Sequence, residues 1–253
     1  MRVLFLGTGT SHGVPAIQCR CDVCASPDPR NARARCSVVV TVGGRSVLID
    51  TPPELRQQAI RFHLTRVDVV LFTHSHADHI FGLDDIRRFN DLQGGEMPCY
   101  GRAETLADIE RAFRYVFTET QAGGGKPRLA LHPVESGPFC AAGVAVEAIP
   151  ILHGRLPVFA YRFGSFAYVT DVSEIAPASR DRLRGLDTLV LGALRHREHA
   201  THFSVAQALE VVADLKPRRT FFTHMAHDLE HRATEAGLPP GVRLAYDGLI
   251  LEI

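Results

Sequence analysis

A short apolar run that ends in a crowd of metal-ligand side chains constrains this chain more than any other feature. Val67–Phe72 reads as a buried strand and runs directly into Thr73-His74-Ser75-His76-Ala77-Asp78-His79, then Gly82 and the polar–apolar alternation of a helix. Four donors, His74, His76, Asp78 and His79, thus stand within six positions at a strand end. Imidazole and carboxylate are costly to bury unpaired, and neighbouring histidines repel one another once protonated. A divalent cation resolves both problems. A solvated His-rich turn, the competing reading, accounts for neither the strand before the cluster nor the helix after it.

The strand-then-donor pattern recurs downstream. His153 follows Val144–Ile149, Asp171 follows Phe166–Val169, and His224 follows Phe221-Phe222-Thr223. A single His or Asp in such a place is more often structural, but three in succession extend the ligand set. Further apolar runs lie at Val3–Leu6, Val38–Val42, Ser46–Ile49, Val158–Phe163, Thr188–Leu191, Thr220–Phe222 and Gly248–Leu251. Their length and Val/Ile content predict strands. Glu104–Phe117 places Leu106, Ile109, Ala112, Phe113 and Val116 on one helical face. Ser204–Leu215 opens with a capping box, Ser204 with Gln207. Gly43-Gly44 joins two of the strands as a hairpin. The pattern predicts an α+β protein, with a mixed sheet packed on a second sheet and helices outside, in one domain over residues 1–253. Gly123-Gly124-Gly125 reads as a loop tip within it.

Composition limits the partners. Lys plus Arg balances Asp plus Glu at 28 each, so no net field draws in long nucleic acid or an anionic membrane. No apolar stretch approaches bilayer length, and no basic-then-apolar leader is apparent, so a cytoplasmic location is expected. In a reducing compartment the six cysteines bind metal or pack in the core. Cys19, Cys21 and Cys24 form C-x-C-x-x-C in a turn-rich loop and supply three corners of a zinc tetrahedron. His227, three residues past His224, is the candidate fourth ligand. Unpaired loop thiols or a redox pair are the competing reading. Cys36, Cys99 and Cys140 are isolated in apolar surroundings and read as core residues. Gly7-Thr8-Gly9-Thr10-Ser11-His12-Gly13 fails as a dinucleotide loop because His12 stands where that fingerprint needs glycine. It reads instead as a tight turn beside the metal edge.

With the H-x-H-x-D-H motif of His74–His79, the chain resembles a metallo-β-lactamase-fold hydrolase. The resemblance implies an αββα sandwich of two mixed sheets with two divalent metals at one edge. By that match His74, His76 and His153 hold one metal, Asp78, His79 and His224 hold the other, and Asp171 bridges them. Asp50, after Ser46–Ile49, matches an acidic position that orients the cluster from behind. A metal-bridging hydroxide is the implied nucleophile, because cation-bound water falls from a pKa of about 15.7 towards about 7. A Cys-rich loop after Gly13-Val14-Pro15, a closing T-H-x-x-H, Gly7-Thr8-Gly9 and Tyr246-Asp247-Gly248 narrow the likeness to PhnP-type phosphodiesterases. Those enzymes belong to bacterial phosphonate breakdown, hydrolyse phosphoribosyl cyclic phosphate and carry a Cys₃His zinc. The resemblance therefore implies a small-molecule phosphodiester as substrate, cyclic phosphoribosyl or nucleotide-like. Its cofactors would be two manganese or zinc ions and one structural zinc.

Asp78 and His202 form the expected catalytic pair. Arg195, His196, His199 and His202 crowd ahead of the capped helix, whose free amides favour an anion. His202 matches a phosphate-contacting histidine of the subgroup and is expected to bind the phosphate and to protonate the leaving alkoxide. His12, Arg155 and Arg162 are further candidates for substrate contact, whereas His63, His132 and His231 read as surface or helix residues. Competing activities are a tRNA 3′-processing-type endoribonuclease, a thioester or lactone hydrolase, and metal binding without turnover. The zero net charge and the short Gly123–Arg128 stretch count against the nuclease. A homodimer stays open.

Overall fold

The computed structural model describes residues 1–119 and 125–253. Its strands are β1 (Arg2–Gly7), β2 (Ser37–Val42), β3 (Arg45–Ile49), β4 (Val69–Leu71), β5 (Met97–Gly101), β6 (Leu129–Pro133) and β7 (Gly137–Ala141). They continue as β8 (Val144–His153), β9 (Leu156–Phe163), β10 (Phe166–Val169), β11 (Thr188–Gly192), β12 (Arg219–Thr223), β13 (Val242–Leu244) and β14 (Ile250–Glu252). One sheet runs β14-β1-β2-β3-β4-β5-β6 and the other β13-β12-β11-β10-β9-β8-β7. Both mix parallel and antiparallel pairs. The architecture is the αββα sandwich that the resemblance implies.

Continuous apolar strands follow from burial on both faces. In β1, Val3 and Phe5 enter the core between the sheets, while the alternate residues Leu4 and Leu6 face the outer layer with Leu55, Ile86, Leu106 and Ile109. Across the inner core stand Val146, Tyr161, Phe166 and Tyr168 of the second sheet. That sheet's outer face packs on Val205, Ala208, Val211 and Leu215 of the helix Val205–Leu215. The hairpin of β2 and β3 pairs Val42 with Arg45. Its turn residues, Gly43 and Gly44, have φ of 58° and 76°, where glycine carries no steric cost.

Several elements differ from the sequence expectation. The β4 strand is confined to Val69–Leu71, and Glu104–Phe117 divides into Ala103–Ala112 and Arg114–Phe117, leaving Ala112 exposed. Strands β5, β6, β7 and β13 were not expected: β5 contains Pro98 and Gly101, residues poor in strand propensity, and β13 has only three residues. Cys36 and Cys99 are buried, but Cys140 is exposed because β7 is an edge strand with an uncovered face. His231 lies on a helix, as expected, yet it is buried beside Glu235. Gly123 and Gly124 lie outside the described residues.

The topology gathers the donors. Strands β3, β4, β8, β10 and β12 all end at one edge of the sandwich, and the turn after β1 ends there too. Gly82 locks the first donor helix, Ala77–Ile80, onto that edge: its N–H donates to Thr51 O (2.8 Å), and Thr51 N–H donates to His79 O (2.7 Å). A Cβ on Gly82 would lie 2.0 Å from Pro52 O, a backbone atom that cannot move aside cheaply. Gly82→Ala should therefore cost about 1–3 kcal/mol through overpacking, read as a lower denaturation midpoint. It should also weaken metal binding although no donor has changed. An unaltered midpoint would show that this contact is not tight.

Candidate metal centre

A buried carboxylate anchors the cluster. Asp50, with no exposed surface, accepts from Thr73 N–H through Oδ1 (2.8 Å). Its Oδ2 accepts from the Thr73 hydroxyl (2.7 Å) and faces His79 Nδ1 at 2.7 Å. Burial pushes the Asp50 carboxyl up, and the three donors aimed at it oppose that rise.

These bonds choose the histidine tautomers. The Thr73 hydroxyl gives its only proton to Asp50, so His74 Nδ1, 3.0 Å from it, must be the donor in that pair. His79 Nδ1–H donates to Asp50, and His153 Nδ1–H donates to Thr201 O at 2.7 Å, an oxygen that can only accept. Each of these rings therefore presents Nε2 to the centre as its ligand atom; burial opposes a charge on His79, but Asp171, Asp50 and Asp78 outweigh it and hold that ring well above its usual range, so a cation would displace its Nε2 proton. His74, His79 and His224 each bury an Nε2 without a hydrogen-bond partner among the described residues.

Asp171 stands between the two histidine groups. Its Oδ1 lies 3.3 Å from His79 Nε2, and its Oδ2 lies 3.3, 3.9 and 4.0 Å from the Nε2 atoms of His224, His74 and His153. Asp78 Oδ2 approaches His79 Nε2 at 3.3 Å and His224 Nε2 at 3.7 Å. Burial resists ionisation of Asp171, but His224 and His79 outweigh it and hold the carboxyl well below its usual range. Two sets emerge, His74–His76–His153 and Asp78–His79–Asp171–His224, each with its donor atoms within 4.8 Å of one another. Tetrahedral zinc with arms of about 2.1 Å separates its ligands by about 3.4 Å, so the spacing and the orphaned nitrogens both suit divalent metal. Asp50, Asp171 and His224 have φ of 62°, 47° and 58°, left-handed conformations that non-glycine residues adopt at a cost and that here aim donors inward.

A second cluster lies close by in the sequence. His227 Nδ1 is 3.2, 3.5 and 3.4 Å from the sulfurs of Cys19, Cys21 and Cys24. The Cys24 N–H points at the Cys21 sulfur and helps to lower that thiol to about 7, which favours thiolate. Segment Thr223–Leu229 thus carries His224 to one cluster and His227 to the other. Arg33, almost wholly buried, braces it by donating to Ala226 O (2.9 Å) and Leu229 O (2.6 Å). Sequence reasoning missed Arg33, because a lone arginine gives no signal of burial. It also missed the Thr201 carbonyl, since a backbone acceptor has no residue type.

His202 overhangs the centre. Its ring lies 4.5 Å from that of His153 and stacks 4.7 Å from that of His224. The capping box at Ser204 and Gln207 fixes the start of the following helix and so holds this loop. Burial, reinforced by the neighbouring His224, pushes His202 down to about 3. His76 is exposed and leaves that side open to solvent. His12 lines a small cavity next to His202, Arg155 is exposed in the β8–β9 turn, and Arg162 binds Gly164 O at the far end of β9, away from the donors.

Residues 45–225 match the β-lactamase superfamily domain. A crystal structure of a new diphosphatase from the PhnP family superposes with a TM-score of 0.93 at 42% identity, covering 100% of this chain and 97% of the other. This chain belongs to the PhnP family of the metallo-β-lactamase superfamily. Its two seven-stranded sheets are the sandwich of that superfamily. Zinc-bound PqqB from Methylobacterium extorquens shares the fold at 19% identity, with a TM-score of 0.79 and 100% coverage of both chains. An octanoyltransferase of Porphyromonas gingivalis is 36% identical over 253 residues, 98% of this chain and 51% of that protein. The chain therefore spans about half the length of that relative.

Asp50→Asn keeps the shape but removes the charge that fixes two tautomers. Active-site metal affinity should fall about 10- to 100-fold in chelator competition, with secondary structure retained. Unchanged affinity would remove Asp50 from the orienting role. If zinc fills the Cys₃His cluster, Cys19→Ala should release it and lower Tm, because binding at such a site is coupled to folding. A variant that kept both its zinc and its Tm would contradict that cluster as a metal site.

Proposed function

We propose that this chain hydrolyses a small phosphodiester, cyclic phosphoribosyl or nucleotide-like, at a centre for two divalent cations. His74, His76 and His153 would hold one cation and Asp78, His79 and His224 the other, with Asp171 shared. Cys19, Cys21, Cys24 and His227 would hold a structural zinc. The observation that carries this reading is the convergence around Asp171 of buried Nε2 atoms without hydrogen-bond partners among the described residues, with His202 directly above. When bound, paired cations supply Lewis acidity and water acidified to a pKa of about 7.

The chain's own residues do the rest. Asp50 and Thr73 hold the donor rings in register, and Asp171 keeps its negative charge between them. His202 contacts the phosphate and faces the leaving oxygen. The cavity beside it, about 280 Å³, suits a compact substrate rather than a long polymer. A diphosphatase of nearly the same length at 42% identity supports hydrolysis at a phosphoryl group as the chemistry.

The test is hydrolysis of phosphoribosyl cyclic phosphate and of bis(4-nitrophenyl) phosphate by manganese-loaded protein. Wild type should turn over at least one, and Asp78→Ala should fall to the level of metal-free protein. His202→Ala should lose about 10²-fold or more in kcat/KM while elemental analysis shows full metal content. Wild-type protein with metal bound that cleaves carbonyl esters alone would overturn the phosphodiester reading.

A further inference from the structure

His224 is held differently from the other buried histidines of the centre. The rings of His74, His79 and His153 are each fixed at Nδ1, by Thr73, Asp50 and the Thr201 carbonyl. The Nδ1 of His224 is buried and has no hydrogen-bond partner among the described residues. No hydrogen bond orients this ring, so its place depends on its backbone, which sits at a φ of 58°. That backbone leads into a segment tied at several points. Met225 N–H donates to Thr8 O (2.9 Å), and Ala226 N–H donates to Leu194 O (2.9 Å). Arg33 donates to Ala226 O and Leu229 O and makes no ion pair among the described residues. Between those two carbonyls, the His227 ring reaches the sulfurs of Cys19, Cys21 and Cys24. The loop that supplies the sulfurs has little core of its own, since from Pro15 to Arg30 only Val23 is buried. Its position therefore depends on the cluster being joined. The loop also begins on Arg33, whose backbone pairs in both directions with Val14 (2.7 and 2.8 Å).

A cation in the Cys₃His cluster would fix His227 against this loop, three residues from His224 and inside the span that Arg33 clamps. We propose that the two metal sites are cooperative: occupancy of the Cys₃His cluster places His224, and Arg33 is the positioning residue that transmits it. The gain falls on the Asp78–His79–Asp171–His224 set, because His74 and His153 of the other set have hydrogen bonds of their own. By linkage the effect is reciprocal, so ions beside Asp171 tighten the cluster's hold on its cation by the same factor. This rests on both metal assignments above and not on the identity of the substrate. A purely structural zinc would raise overall stability and leave the relative affinity of the two active-site ions unchanged.

The test loads the cluster and the centre with different metals. Thiolates favour zinc or cobalt, whereas manganese prefers the site that offers carboxylates. Free manganese is followed by its paramagnetic resonance signal, and cobalt in the cluster by its thiolate-to-metal charge-transfer band. Wild type carrying one equivalent of zinc should bind two manganese ions. In His227→Ala one ion should bind as before and the other about 10-fold more weakly, or worse. Arg33→Lys, which keeps the charge but loses the fork, should retain the cobalt band and still weaken that ion. Val144→Ala, which empties part of the inner core at the far end of β8, should lower Tm and keep both affinities. In wild type, saturating manganese should tighten cobalt in the cluster by about the same 10-fold, a reciprocity that decides the matter if Arg33→Lys fails to fold. Equal manganese affinities in wild type and His227→Ala, an equal loss in Val144→Ala, or a loss shared alike by both ions overturns the coupling alone. A wild type without the cobalt band overturns the Cys₃His assignment, and one without two bound manganese ions overturns the paired centre; either removes the coupling with it.

Discussion

A single buried carboxylate sets the chemistry of this centre. Asp50 is taken wholly out of water, an expensive placement unless every oxygen is satisfied, and it is satisfied by Thr73 and His79. The bond to Thr73 passes the same constraint on to His74. One carboxylate thereby decides where the protons sit on a ring of each donor set. The remaining nitrogens point to the centre, where a cation satisfies them together. Donor positions alone would not achieve this, because a histidine with its proton on the wrong nitrogen is no ligand.

The sandwich exists in a form that makes this arrangement cheap to hold. The central strands that carry donors are covered on both faces, so their ends lie in fixed positions. Donors come from strand ends in both sheets, and the inner core fixes the distance between them. The left-handed backbone at Asp50, Asp171 and His224 is strain that the surrounding packing must overcome. Thr223–Leu229 adds a further link, because one short segment serves both clusters and Arg33 braces it from beneath.

Much of this was legible in the sequence, for definite reasons. Two-sided burial writes strands as unbroken apolar runs, and a donor at the end of such a run stands out. That is why His153, Asp171 and His224 could be grouped with His74–His79 although they are far apart in the chain. The capping box at Ser204 was readable because its two residues satisfy each other locally. Less was readable where tertiary context decides. β5 forms despite Pro98 because β4 and β6 flank it, and Cys140 looks like a core residue until β7 proves to be an edge. Arg33 is buried only because carbonyls from a distant loop receive it. Arg162 was a candidate for substrate contact, but strand direction places it at the opposite end of β9.

The central claim is that proton placement on Nδ1 by Asp50, Thr73 and Thr201 leaves Nε2 as the ligand atom for a metal pair on either side of Asp171. A crystal structure of metal-loaded protein with anomalous scattering tests it most directly. The account predicts two ions flanking Asp171, bound through Nε2 of His74, His79, His153 and His224 at about 2.0–2.1 Å. Ions bound through Nδ1 of those rings, or a single ion remote from Asp171, would contradict it.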